Sequence, residues 1–265
     1  MDDLINRLLA DTPDVVALEG FHALKHALRF GAHILGAFTS EPEQNLALAR
    51  ELAPDLVAYM RQQVIVVPGQ ILARHSPRRI HTDLLAYAAR PTWRITDALP
   101  TVDRPAILLD DPRHLGNLGA VVRVGAAAGA SGLLVRGAAD PLDPMAVRGA
   151  AGLQYCLPCL GRREILDDLT RQGVVGLDAA AAEFDPTQFN CPVVFAFGSE
   201  RAGLSDAVRQ RCDALVGLPM TPGVSSLNLA TSVSAVLYLW RYRRAGQHPA
   251  DHNEPTGQHS PATGE

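Results

Sequence analysis

The sequence predicts an α/β fold in two units joined by a short linker, and three observations carry this. Compact Val/Ile/Leu runs, such as Ala106 to Asp110 and Val193 to Phe197, alternate with Ala-rich and amphipathic stretches of helical period. The strongest of these runs stop at a glycine or proline just before a helical pattern begins. Residues 96–105, T-D-A-L-P-T-V-D-R-P, carry two prolines and no periodicity, and read as the linker. A chain of 265 residues suits one large or two small domains, and its 47% hydrophobic content is ample for packed cores.

Composition narrows the function classes. The start, M-D-D-L-I-N-R, is acidic where a signal peptide is basic, and no apolar run reaches the length of a membrane span. Four cysteines without a disulfide-like framework suit a reducing cytoplasm. The net charge of −4 excludes nucleic-acid affinity through bulk charge, so any RNA site must be a local basic patch.

The first unit, residues 1–95, mixes helix and strand. Glu19 to Ala32 places Phe21, Leu24 and Leu28 on one face and closes near Gly31, an amphipathic helix. Ile34 to Phe38 reads as a strand, Glu43 to Met60 as one or two helices, and Val64 to Val67 as a short strand. From Ala73 to Arg94 the chain turns basic: Arg74, Arg78, Arg79, Arg90 and Arg94 accompany a single acid, Asp83. Such a run is commonly a solvated face. In a chain of negative charge it is also the candidate contact for RNA phosphates, with Arg74, Arg78 and Arg79 foremost.

The second unit, residues 106–244, opens with the buried strand A-I-L-L-D and a glycine-rich turn into an Ala-rich helix. Gly116 and Gly119 lack the G-x-G-x-x-G spacing of a dinucleotide fingerprint. Asn117 falls at the helix start, with Arg123 about a turn and a half further in. Leu133 to Val135 and Val174 to Leu177 are strands, and Glu164 to Gln172 reads as a helix between them. Cys156 and Cys159 form C-x-x-C, but no second pair with metal spacing accompanies them, and two small residues on a strand is the better account.

Val193 to Phe197 ends in G-S-E-R-A-G-L-S, with Ser205 placed to cap the next helix. A glycine at Gly198 must let something approach the backbone. Ala214 to Leu218 is a short strand stopped by Pro219, followed by a loop and a helix whose Leu229, Val233, Val236, Leu237 and Trp240 share one face. Ser225, Ser226 and Asn228 crowd the start of that helix, more polar side chains than a cap requires, and such a cluster of donors is also a binding site. After Arg244 the chain is polar and rich in Pro and Gly, and residues 245–265 read as a disordered tail.

Three of these stretches together resemble the signature motifs of the SpoU (TrmH-type) RNA 2′-O-ribose methyltransferases of the SPOUT superfamily. They are N-x-G-x-x-x-R at Asn117, Gly119 and Arg123, F-G-x-E-x-x-G-L from Phe197 to Leu204, and L-P-M-x-x-x-V-x-S-L-N from Leu218 to Asn228. The resemblance implies a parallel-sheet domain with its C-terminal segment threaded as a trefoil knot, a rare exception to ordinary topology. It also implies that residues 1–95 are a small ribosomal-protein-like substrate-binding domain, with E-G-x-x-x-L near its start.

By the same resemblance the cofactor is S-adenosylmethionine, held by Gly198, Leu218 and Leu227, and the substrate is a ribose 2′-hydroxyl of structured RNA, ribosomal before transfer RNA. Arg123 orients or activates that hydroxyl. An arginine stays protonated at neutral pH, which favours orientation and charge stabilisation over proton abstraction. Asn117, Glu200, Ser226 and Asn228 hold the arginine and the ribose. No metal is implied, and the enzyme acts as a homodimer in which the arginine reaches the neighbouring subunit's site. Two other classes compete: a non-catalytic RNA-binding protein on the same scaffold, disfavoured by Arg123, Glu200 and Asn228 being present together, and an NAD-dependent oxidoreductase, disfavoured by the missing fingerprint.

Overall fold

The computed structural model describes residues 2–11, 14–76 and 82–245. In chain order the first part comprises α1 (Asp2–Asp11), β1 (Val15–Glu19), α2 (Phe21–Arg29), β2 (Ile34–Thr39), α3 (Pro42–Leu52), α4 (Val57–Gln63), β3 (Val64–Val66), α5 (Gly69–His75) and β4 (Leu84–Ala89). Its four-stranded sheet has the order β1-β4-β2-β3, with β4 antiparallel to both neighbours and β2 parallel to β3. After the one-turn α6 (Ile95–Ala98) come β5 (Ala106–Asp110), α7 (Leu115–Ala128), β6 (Leu133–Arg136), α8 (Pro144–Ala150), β7 (Cys159–Gly161), β8 (Gly173–Leu177), β9 (Val193–Phe197), α9 (Asp206–Arg211), β10 (Ala214–Val216) and α10 (Leu229–Ala245). The second sheet is six-stranded and parallel throughout, in the order β10-β8-β9-β5-β6-β7.

Parallel strands covered on both faces should be apolar at every position. The two central strands, β5 and β9, are buried from end to end. One face packs on α7, α8 and α10, where Val121, Val122, Val233, Val236, Leu237 and Trp240 join one cluster. The other face carries Ile165, Leu169 and Val208. Helix α8 also closes the first sheet: its Val147, with Leu142 and Tyr155, belongs to the same cluster as Val16, Leu24 and Ala86.

Polar contacts fix the seam between the sheets. Arg148 pairs with Glu19 at 3.0 Å and Arg90 with Asp140 at 2.7 Å, while the Tyr155 hydroxyl donates to the Ala89 carbonyl at 2.9 Å. The segment 96–105, expected as a linker, is anchored to the second sheet. Ala98 is fully buried, and a Cβ on Gly132 would lie 2.4 Å from its methyl group.

Two expected elements take a different form. The helix expected from Glu164 to Gln172 is a loop with one tight turn at Asp167–Leu169. Ile165 and Leu169 are buried at helical spacing, but the stripe ends there, and Asp168 is drawn off into an ion pair with Arg162. The helix expected over Glu19 to Ala32 is shorter at both ends. Glu19 completes β1, Gly20 turns the chain at φ 90°, and Gly31 stops it at φ 75°. The tail from residue 246 onward lies outside the described residues, as do Arg78 and Arg79.

Candidate functional site

The strand registers bring three loops to one place. Leu109 is level with Phe197, Gly176 with Ala196, and Val216 with Leu177, so the carboxyl ends of β5, β9, β8 and β10 open onto a common crevice. In an open parallel sheet that crevice is where ligands bind.

The loop after β9 is a tight turn in which Ser199 and Gly203 exchange backbone hydrogen bonds at 3.1 and 3.0 Å. Sequence analysis attributes the glycine at 198 to an approaching ligand. The structure gives a different cause: a Cβ on Gly198 would sit 1.9 Å from the Gly203 carbonyl carbon, so the loop's own backbone occupies that space. Gly198 still lines the cavity beside the turn. Gly119 of α7 has a comparable duty, since a Cβ there would meet the Ala146 carbonyl at 2.3 Å; it lets α7 and α8 touch.

The turn presents Glu200 to the first turn of α7, where the Asn117 amide donates to its Oε1 at 2.8 Å. Asn228 completes a line. Its Oδ1 accepts the Ala230 N–H at 2.9 Å, capping α10, which leaves its Nδ2 to donate to the Asn117 Oδ1 at 3.2 Å. Each amide therefore has one sense only, ending on the carboxylate. Desolvation would raise the Glu200 pKa, but the Asn117 donor, the backbone N–H groups of Glu200 and Arg113 and the charge of His114 outweigh it and hold the carboxyl below its ordinary value. The expected crowd of caps resolves into one cap, Asn228, with Ser226 lining the cavity instead.

That cavity has a volume of about 380 Å³, within the range of small-molecule and cofactor sites. Phe197, Leu218, Leu227 and Leu229 supply apolar walls, with Leu227 left 43% exposed at the lip. Asp178, at the end of β8, faces it as well. The Ala180 N–H and the Arg209 guanidinium, 2.5 Å away, hold the Asp178 carboxyl below its usual range. Sequence reasoning missed Asp178, Arg209 and Met220 as lining residues; the available signal for Asp178 was its place directly after a buried parallel strand.

Other candidates lie apart. Arg123 is exposed on α7, six residues beyond Asn117 and so about two thirds of a turn around the helix from it. It does not line the cavity, and the charges it acts on belong to His22, Lys25 and His26 of α2. Among the described arginines of the basic segment, Arg74 pairs with Asp2 at 2.6 Å, Arg90 with Asp140, and Arg94 with Asp97 at 3.8 Å. Asp83, the single acid expected to face these arginines, takes no part in those pairs. Cys159 is buried on β7, which pushes its thiol pKa far up. Among the described residues no group of three or more His, Cys, Asp or Glu is placed to hold a metal ion, and no helix is long and apolar enough to cross a membrane.

Similarity to known proteins follows the same residues. The model of the SpoU rRNA Methylase family matches residues 104–238. A 23S rRNA (uridine(2479)-2′-O)-methyltransferase of Streptomyces viridochromogenes is 32% identical over 72% of this chain and 69% of its own. An uncharacterised tRNA/rRNA methyltransferase of Synechocystis is 32% identical over 83% and 81%. Among solved structures, the SpoU methyltransferase AviRb of S. viridochromogenes in complex with the cofactor AdoMet superposes with TM-score 0.70 at 28% identity, covering 86% of this chain and 89% of that one. An RNA 2′-O ribose methyltransferase superposes with TM-score 0.72 at 28% identity, covering 90% and 93%. With the family model spanning the crevice loops and the fold matched along most of its length, this chain belongs to the SpoU rRNA methylase family.

Proposed function

We propose that this protein transfers a methyl group from S-adenosylmethionine to a ribose 2′-hydroxyl of ribosomal RNA. The observation that carries the reading is the directional line Asn228–Asn117–Glu200, whose Glu200 end lines the cavity beyond the strand ends. The cavity fits the cofactor's chemistry. Leu218, Leu227 and Leu229 line it with apolar surface suited to a flat ring, Gly198 lines it too, and the carboxylates of Asp178 and Glu200 suit a cationic sulfonium. When bound, the cofactor supplies a methyl group already carried on an electrophilic sulfonium.

The remaining work is alignment, and positioned reactants can lower a barrier by several kcal/mol, on the order of 7–11 at best. Asn117, Ser226 and Asn228 hold the ribose, with Glu200 fixing the amide line. Arg123 orients the 2′-hydroxyl and stabilises the negative charge that develops as the hydroxyl proton leaves for solvent. Arg123 is exposed and lies away from the Asn228–Asn117–Glu200 line of its own chain, which suits an active form that is a two-fold homodimer in which it enters the partner's site.

Residues 1–95 form the RNA-binding unit and 106–244 the catalytic one, with 96–105 between them. The C-terminal segment is threaded as a knot. This is supported by the tight packing of Gly217 on the loop after β8: it donates to the Ala182 carbonyl at 2.7 Å, accepts from Phe184 at 2.8 Å, and would carry a Cβ 2.9 Å from the Asp178 and Ala181 carbonyls. A ribosomal target is favoured by the relative that acts on 23S rRNA. Methyl transfer from labelled S-adenosylmethionine to purified 23S rRNA, and not to bulk tRNA, is the expected result. Equal labelling of both, or of neither, contradicts the assignment.

A further inference from the structure

Arg74, Arg90 and Arg94 of the basic segment chosen from sequence are engaged in ion pairs, and Arg123 of α7 has basic neighbours elsewhere. His22, Lys25, His26 and Arg29 occupy i, i+3, i+4 and i+7 of α2 and so form one stripe. The opposite face of the helix, with Phe21, Ala23, Leu24 and Ala27, is buried. The His22 and His26 rings stand 6.5 Å apart. Arg29 is taken up by Asp55 at 2.7 Å, and the same carboxylate acts at longer range on Lys25, the chain's single lysine.

The stripe is held rigidly against the catalytic sheet. His26 Nδ1 donates to the Ala151 carbonyl at 2.8 Å, and Gly152 is pressed so closely on α2 that a Cβ would meet the Ala23 carbonyl at 2.6 Å. Helix α8 thus joins α2 on one side to α7 on the other, and Arg123 of α7 comes within the field of Lys25 and both histidines. Burial first, then the charges of Lys25 and Arg123, lower the His22 pKa, so near neutral pH the ring joins this surface as an uncharged hydrogen-bonding group beside two cations.

We propose that the stripe of His22, Lys25 and His26 on α2, continued by Arg123 on α7, is the surface that receives the phosphate backbone of the RNA substrate. Lys25 and Arg123 are like charges within each other's field on a rigid seam, and an anion laid between them relieves that repulsion while His22 and His26 offer ring nitrogens beside it. A surface built across both units also explains why the seam is locked by ion pairs: the contacts that bind RNA must keep a fixed distance to the group that acts on the ribose. This rests on the RNA methyltransferase reading.

The test uses the full-length protein and a 23S rRNA transcript. Lys25→Gln should weaken binding several-fold and reduce the slope of log affinity against log salt by about 1, and Lys25→Glu should weaken it at least tenfold. His22→Ala should have a smaller effect in the same direction. S-adenosylmethionine affinity by calorimetry, melting temperature and dimer mass should match wild type, with methyl transfer impaired in KM more than in kcat. Unchanged RNA affinity and salt slope in both Lys25 variants would overturn the proposal while leaving the enzyme assignment standing. Loss of the dimer in Lys25→Glu would also overturn it and make the stripe a subunit contact. A wild-type protein that neither binds nor methylates the transcript would remove the enzyme reading and the surface together.

Discussion

The Asn117 amide donates to Glu200 Oε1 at 2.8 Å, tying the N-terminus of α7 to the turn after β9 across 83 residues of sequence. Its direction is imposed from the far end, where Asn228 Oδ1 is consumed by capping α10 and only its Nδ2 remains to reach Asn117. Helix capping and site geometry are therefore the same hydrogen-bond chain.

This separates two variants of Asn228. Asn228→Asp keeps the cap acceptor but loses the donor toward Asn117, so its melting temperature should stay near wild type while methyl transfer falls by two orders of magnitude or so, in line with lost positioning. Asn228→Ala loses both functions and should in addition lose about 1 kcal/mol of stability by denaturant titration. Equal stability of the two would show that Asn228 does not cap α10.

Gly198→Ala should damage the fold before it damages any ligand. The new methyl would lie 1.9 Å from the Gly203 backbone, and overpacking against backbone costs on the order of 1–3 kcal/mol or more. A lowered melting temperature without cofactor is expected. An unchanged melting temperature with lost S-adenosylmethionine affinity would contradict this account of the turn.

Leu227→Ala behaves in the opposite way. The leucine is 43% exposed at the cavity lip, so truncation should change stability by no more than about 0.5 kcal/mol, while calorimetry should show weaker cofactor binding. Wild-type affinity would remove Leu227 from the cofactor wall.

Glu200 gives a pH signature. Its folded pKa is lowered, so its stabilising contribution is fully present above the ordinary glutamate range and is lost as pH falls through the folded value. The melting-temperature difference between wild type and Glu200→Gln should thus be flat from pH 6 to pH 8, roughly, and shrink only in the acid range. A difference that changes through neutrality would mean that another group controls the line.

The shared site predicts rescue between dead variants. Arg123→Ala and Asn228→Ala should each be inactive, and refolding them together should restore roughly a quarter of wild-type activity, because half the dimers are mixed and each mixed dimer has one intact site. No recovery, with mixed dimers seen by native mass spectrometry, would place both residues in one chain's site.

Much of the fold was legible because buried parallel strands are written as plain apolar runs. β5 and β9 fall where A-I-L-L-D and V-V-F-A-F stand, and α10 carries the expected face of Leu229, Val233 and Trp240. The loop at 164–172 was misread because Ile165 and Leu169 have helical spacing whether the chain between them is a helix or a single turn. Among site residues, Asn117, Glu200 and Asn228 converge as their motifs suggest. The neutralisation of Arg74 by Asp2 and of Arg90 by Asp140 could not be read, because those partners lie 72 and 50 residues away in sequence. The nearness of Lys25 to Arg123 across the seam was hidden for the same reason.

The most direct measurement of the central claim is the position of the transferred methyl group. After incubation with 23S rRNA and S-adenosylmethionine, the labelled RNA is hydrolysed in alkali, which cleaves only beside a free 2′-hydroxyl, and the products are identified by mass spectrometry. The account predicts that the label survives in a single alkali-resistant dinucleotide, formed at about a hundredth of the rate when Asn228→Asp replaces wild type. Label recovered as a methylated base in mononucleotides would contradict it.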